Sequence, residues 1–192
     1  MTLLRTFFVS IAVAMIGVIA YAFTTRDQPV NTATTTGATS NVEGHALLGG
    51  VYVRDQIALD AVSALQGHGT RTLINLRPDG EDQNQPPSAA VQSAAQTAGL
   101  SYAYIPTPHG DIPDAVVDDL ARALAKTERP VVLYCRSGKR ATRVWALAEA
   151  SRSGGPSLFE IVGAVKAAGQ TVDDLMPRIE KRFSERSANV NG

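Results

Sequence analysis

The chain has 192 residues, of which 44% are hydrophobic and 19% charged, which is enough apolar material for one core domain with additional segments. Its formal net charge is zero and its aromatic content 6%, which excludes a global field toward nucleic acid and a base-stacking platform. One cysteine, Cys135, excludes an internal disulfide, and without a second cysteine or clustered histidines no metal site and no cofactor is expected.

Taken in chain order, the first segment stands apart. Arg5 is the only charge before the apolar run Phe7 to Phe23, FFVSIAVAMIGVIAYAF. At about 1.5 Å per residue this run nearly matches a bilayer core. It reads either as a retained anchor, with Arg5 on the cytoplasmic side, or as a signal peptide ending at Ala20-Tyr21-Ala22. Residues 1–23 are therefore expected to engage a membrane, with the domain outside the cytoplasm (periplasmic in a Gram-negative cell). Residues 24–44, rich in Thr, Ala, Asn and Ser, bury too little to offset their ordering entropy and read as a flexible linker.

From residue 45 to 186 strand and helix patterns alternate, with 187–192 left as a disordered tail. Gly50 to Val53 begins a strand, and Asp55 to Gln66 has helical spacing through Ile57, Leu59, Val62 and Leu65. Thr72 to Leu76 is β-rich and ends in the turn Arg77-Pro78-Asp79-Gly80. An Ala-rich helix over Ser88 to Ala98 is closed by Gly99 and followed by a strand from Leu100 to Pro106. A helix spans Pro113 to Thr127, opened by Asp111 and Pro113. Val131 to Tyr134 is a continuous apolar strand of the kind buried on both faces. Helices follow over Ala141 to Ser151, Ser157 to Ala168 and Thr171 to Ser184, the last with a near capping box of Thr171 and Asp174. The order predicts an α/β fold with a mostly parallel sheet flanked by helices.

The chemistry-bearing stretch is Cys135-Arg136-Ser137-Gly138-Lys139-Arg140. It sits at the carboxyl end of the most apolar strand, where open α/β sheets bind ligands. A loop running into a helix directs N–H groups and the positive helix end at one point. With Arg136, Lys139 and Arg140 this surrounding favours thiolate over thiol and cradles an anion. Gly138 allows a tight turn, and Ser137 is placed to hydrogen-bond the thiolate. Arg77 either braces the loop, binds the anion or forms a surface salt bridge. Arg143, one turn beyond Arg140, is expected to face solvent, and His109 reads as an ordinary loop histidine.

CRSGKR resembles the active-site loop of rhodanese-type sulfurtransferases, Cys-x4-Arg closed by Arg140. Cysteine-dependent tyrosine and dual-specificity phosphatases use Cys-x5-Arg, which would place the arginine at Ala141. TLINLRPDGE, by contrast, resembles the strand and loop of small dual-specificity phosphatases. The pieces GGVYVRDQI, GTRTLINLRPDGE, VVLYCRSGKRATRVWAL and AAGQTVDDL together resemble the beta-lactamase-hydrolase-like, phosphatase-like domain family over Gly49 to Leu175. This resemblance implies a cysteine-phosphatase-like fold and either reaction, since members are described both as phosphatase-like and as sulfurtransferases. It also places Asp111 where phosphatases carry the acid that protonates the leaving group; the other reading of Asp111 is a helix N-cap.

Both reactions open with attack by the Cys135 thiolate. The shorter loop narrows the anion cradle, so the first expectation is a sulfurtransferase carrying sulfur from thiosulfate or a persulfide as a Cys135 persulfide. The second is a phosphatase hydrolysing a phosphomonoester through phosphocysteine. The third is a module of the same fold that binds an anion or a partner without catalysis. Expected partners are one such small anion and a membrane, with no nucleic acid.

Overall fold

The computed structural model describes residues 44–190, with side chains described as far as Ser187. The expected membrane segment 1–23 and, apart from Gly44, the expected linker 24–44 lie outside the described residues. No helix among the described residues is long and apolar enough to cross a membrane.

Five strands form one sheet: β1 (His45–Ala46), β2 (Val51–Arg54), β3 (Thr72–Asn75), β4 (Ser101–Tyr104) and β5 (Val131–Tyr134). Their order is β1-β2-β5-β3-β4, parallel throughout except for β1, which runs antiparallel to β2. Among the described residues six α-helices accompany them: α1 (Val62–Gly67), α2 (Ser88–Thr97), α3 (Asp114–Lys126), α4 (Lys139–Ser151), α5 (Leu158–Ala167) and α6 (Met176–Val190). The expected mostly parallel sheet flanked by helices is present.

Strand periodicity sorts the core into two halves. Val51, Val53, Ile74, Val131 and Leu133 face α3, α4, α5 and α6, meeting Leu120, Val144, Trp145, Ile161 and Ile179. Leu73, Val132 and Tyr134 point the other way, onto Val62 and Leu65 of α1 and Val91 and Ala95 of α2. Central β5 is therefore buried at all four positions, which is why its sequence is an unbroken apolar run. Helix α4 lies innermost, packed against α3, α5 and α6, and Trp145 at its centre is fully buried.

The structure corrects several local expectations. Residues 55–58 are not helical: a 3-10 turn at Leu59–Ala61 precedes α1. The backbone there has another partner, for the Gln56 N–H donates to the Arg136 carbonyl at 3.2 Å. Helix α6 runs to Val190, so residues 187–190, expected in the tail, belong to it. The capping box is at Ser157 and Glu160 on α5, not at Thr171 and Asp174. Strand β1 is only two residues long, too short to show alternation in the sequence.

Candidate active site

The sheet register brings four loops to one edge. Arg54 of β2 and Asn75 of β3 both pair with Tyr134, and Asn75 also pairs with Tyr104 of β4. The chain beyond each of these strand ends therefore emerges beside Cys135, which follows Tyr134 and is 1% exposed.

Two devices shape the loop after β5. First, it is stitched to the extension of β2 by the bond from Gln56 and by an antiparallel bridge between Asp55 and Ser137. Second, Gly138 caps α4 with φ of 77°, a left-handed conformation that favours glycine. A Cβ there would also stand 3.4 Å from the Arg54 carbonyl oxygen and 3.5 Å from Val53 Cγ2. Thr142 answers from within the helix, its N–H and Oγ1 both donating to the Gly138 carbonyl at 3.0 and 3.1 Å. The first N–H groups of this 13-residue helix thus open just beyond Cys135, with the partial positive charge of the helix end.

Cys135 borders a cleft of about 400 Å³. One wall is the loop after β4 (Pro108, His109, Gly110 and Ile112), another is the cysteine loop with Lys139, Arg140 and Arg143 of α4, and the third is Thr171 and Asp174 ahead of α6.

Arg140 is held from three directions. Its Nη1 lies 2.8 Å from Glu81 Oε1 and donates to the Thr107 carbonyl at 2.6 Å. Its Nη2 donates to Glu81 Oε2 at 3.2 Å and lies 3.0 Å from His109 Nε2. Glu81 also takes the Arg77 Nε at 3.2 Å, and Arg77 Nη1 reaches Gln56 Oε1 at 2.7 Å. A closed chain results: Arg140, Glu81, Arg77 and Gln56, back to the Arg136 carbonyl. It fixes the cysteine loop near both ends. Burial alone would push the Glu81 carboxyl up, but the hydrogen bond and charge of Arg140, with the Arg77 bond and His109, outweigh it and hold it below the ordinary range.

The expected site residues separate into two groups. Cys135, Arg136, Ser137, Lys139 and Arg140 line the cleft, and Gly138 shapes it from behind. Arg136 and Lys139 are exposed and form no ion pair among the described residues, so their charge is open to a ligand. Arg77, expected to brace the loop, bind the anion or form a surface salt bridge, is 4% exposed and does not line the cleft; it pairs with Glu81 out of solvent and braces Gln56. Asp111 does not line the cleft: its side chain is 97% exposed and its nearest cation is Arg178, at 3.6 Å. Nor does it cap α3, whose N-cap is Pro113.

Arg143, expected to face solvent, is a correction. Its side chain is 15% exposed, lines the cleft, and grips Asp174 through both terminal nitrogens at 2.6 Å. That fork raises Arg143 and lowers Asp174 from their ordinary values. The sequence places Arg77, Asp79 and Glu81 on the sheet edge of the cysteine loop but gives Glu81 no role as the hub, although the four-residue step from Arg77 was a visible signal.

The chain is similar to known proteins in sequence and in fold. A beta-lactamase hydrolase-like protein of Xylella fastidiosa is 47% identical over 81 residues, 42% of this chain; the chain spans about a fifth of that relative, 19% of its length. A crystal structure from Neisseria meningitidis, of a protein named as a candidate phosphatase, is 26% identical with a TM-score of 0.59, covering 69% of this chain and 92% of that one. PTPMT1 in complex with PI(5)P shares the fold at 14% identity, with a TM-score of 0.56 over 76% of this chain and 97% of its own. The family profile described as the phosphatase-like domain of beta-lactamase hydrolase-like protein matches residues 45–152, and the chain belongs to that family.

Proposed function

We propose that this domain is a cysteine-dependent phosphatase that hydrolyses a phosphomonoester through a Cys135 phosphocysteine. The observation that carries it is the placement of Cys135 at the edge of an open cleft, at the N-terminus of α4, on a fold shared with phosphatases. Helix N–H groups, Arg136 and Lys139 are disposed to take the phosphoryl oxygens. The thiolate attacks phosphorus, the bond to the leaving oxygen breaks, and that oxygen takes a proton. Water then attacks the phosphocysteine, releasing inorganic phosphate and the thiolate.

This reading displaces sulfur transfer, the first expectation from loop length. One observation still favours sulfur transfer: Arg140 follows Cys135 at the shorter spacing. The family and the solved relatives favour phosphate. Phosphate release from an aryl phosphate, followed in wild type and Cys135→Ser, tests the proposal. Release by the wild type that vanishes in the near-isosteric variant supports it; equal release by both overturns it.

A further inference from the structure

Resting on the phosphatase reading, we propose that His109, not Asp111, delivers the proton to the leaving group. An acid for this step must reach the cleft that holds Cys135. His109 lines that cleft and its side chain is 68% exposed, so a leaving group can meet it. Asp111 does not line it and stands in solvent toward Arg178.

His109 is also oriented. Its Nε2 lies 3.3 Å from Glu81 Oε1 and 3.0 Å from Arg140 Nη2. As imidazolium, it donates Nε2–H to Glu81, which offsets the repulsion from Arg140, whose Nη2 also lies 3.5 Å from Nδ1, and Nδ1–H is the proton that turns to a substrate in the cleft. In the neutral imidazole left when Nδ1 gives up its proton, Nε2–H stays on Glu81 and Nδ1 becomes the acceptor, 3.5 Å from Arg140 Nη2. Glu81 and Arg140 are the charged groups facing it, with Arg77 behind Glu81. Glu81 is therefore a positioning residue: its carboxylate is fixed by two arginines before His109 docks on it.

The step balances. Cys135 thiolate forms the S–P bond as the P–O bond breaks, and Nδ1–H protonates the leaving oxygen to give the alcohol and neutral His109. In the second half, water attacks phosphorus and gives a proton back to His109. Phosphate and thiolate leave, and the imidazolium is restored. No other reactant is required.

The test reads kcat/KM for two substrates that differ in their need for a proton. Phenyl phosphate expels a poor leaving group, whereas 2,4-dinitrophenyl phosphate expels one that departs unprotonated. His109→Gln, whose amide keeps a contact for Arg140, is expected to lose about a hundredfold or more with phenyl phosphate and to stay within about threefold of wild type with the dinitrophenyl ester. Asp111→Asn is expected to match wild type on both. Equal loss on both substrates in His109→Gln overturns the assignment, as does a loss confined to phenyl phosphate in Asp111→Asn. A wild type inert toward both esters overturns the phosphatase reading as well, and so separates that failure from this one.

Discussion

Glu81 shows how one side chain can serve both the fold and the site. It is 12% exposed and joined to buried Arg77 and partly buried Arg140, so its removal leaves two cations short of a partner. Glu81→Gln is expected to lower stability at neutral pH by about 1.5–3 kcal/mol, the range for hydrogen bonds to charged groups. The pH dependence follows from the direction of its shift. The folded carboxyl titrates below its ordinary value, so its contribution is complete above about 4.3 and fades as pH falls through the folded value. Urea midpoints of wild type and Glu81→Gln should therefore converge in acid; a gap that stays constant from neutral to acid pH would contradict this. The placement of Cys135 in a cleft-forming loop was legible in the sequence because cationic and small neighbours do not belong in a core. The role of Glu81 was not, since its partner Arg140 is distant along the chain and only the fold brings them together.

At the level of elements, legibility followed the number of residues that repeat a pattern. Strand β5 and helix α3 were plain, because a solid apolar run and a regular 3.6-residue stripe each occupy most of the element. Residues 55–58 misled because Ile57 continues the apolar spacing of α1 yet is buried in a loop whose backbone serves the cysteine loop. The caps give a second case. Thr171 and Asp174 have nearly the spacing of a capping box, but Asp174 is drawn to Arg143 across the cleft, and Thr171 Oγ1 accepts only from the Asp173 N–H, at 3.3 Å. Ser157 and Glu160 make the reciprocal pair, with Glu160 Oε2 taking the Ser157 N–H at 2.7 Å. Ser157→Ala is expected to cost about 1 kcal/mol, or roughly 2–4 °C in Tm for a protein of this size. Thermal unfolding followed by circular dichroism checks this, and an unchanged Tm would show that the box contributes nothing.

Over the whole described domain, the parallel sheet is what turns scattered residues into one site. Gln56, Glu81, His109 and Cys135 come from four separate stretches of chain and meet because β2, β3, β4 and β5 end on the same edge, while Asp174 joins the cleft from the segment ahead of α6 through Arg143. The order of elements made that edge predictable, and the cysteine loop announced itself. The reaction was harder to read, because loop length points to sulfur transfer while the surrounding fold is that of phosphatases. The most direct test of the central claim is mass spectrometry of acid-quenched protein after brief exposure to an aryl phosphate, with a parallel sample exposed to thiosulfate. A phosphoryl group on Cys135 in the first sample, and no added sulfur in the second, is the predicted result. A sulfur atom on Cys135 after thiosulfate, with no phosphoryl group after the aryl phosphate, would contradict it.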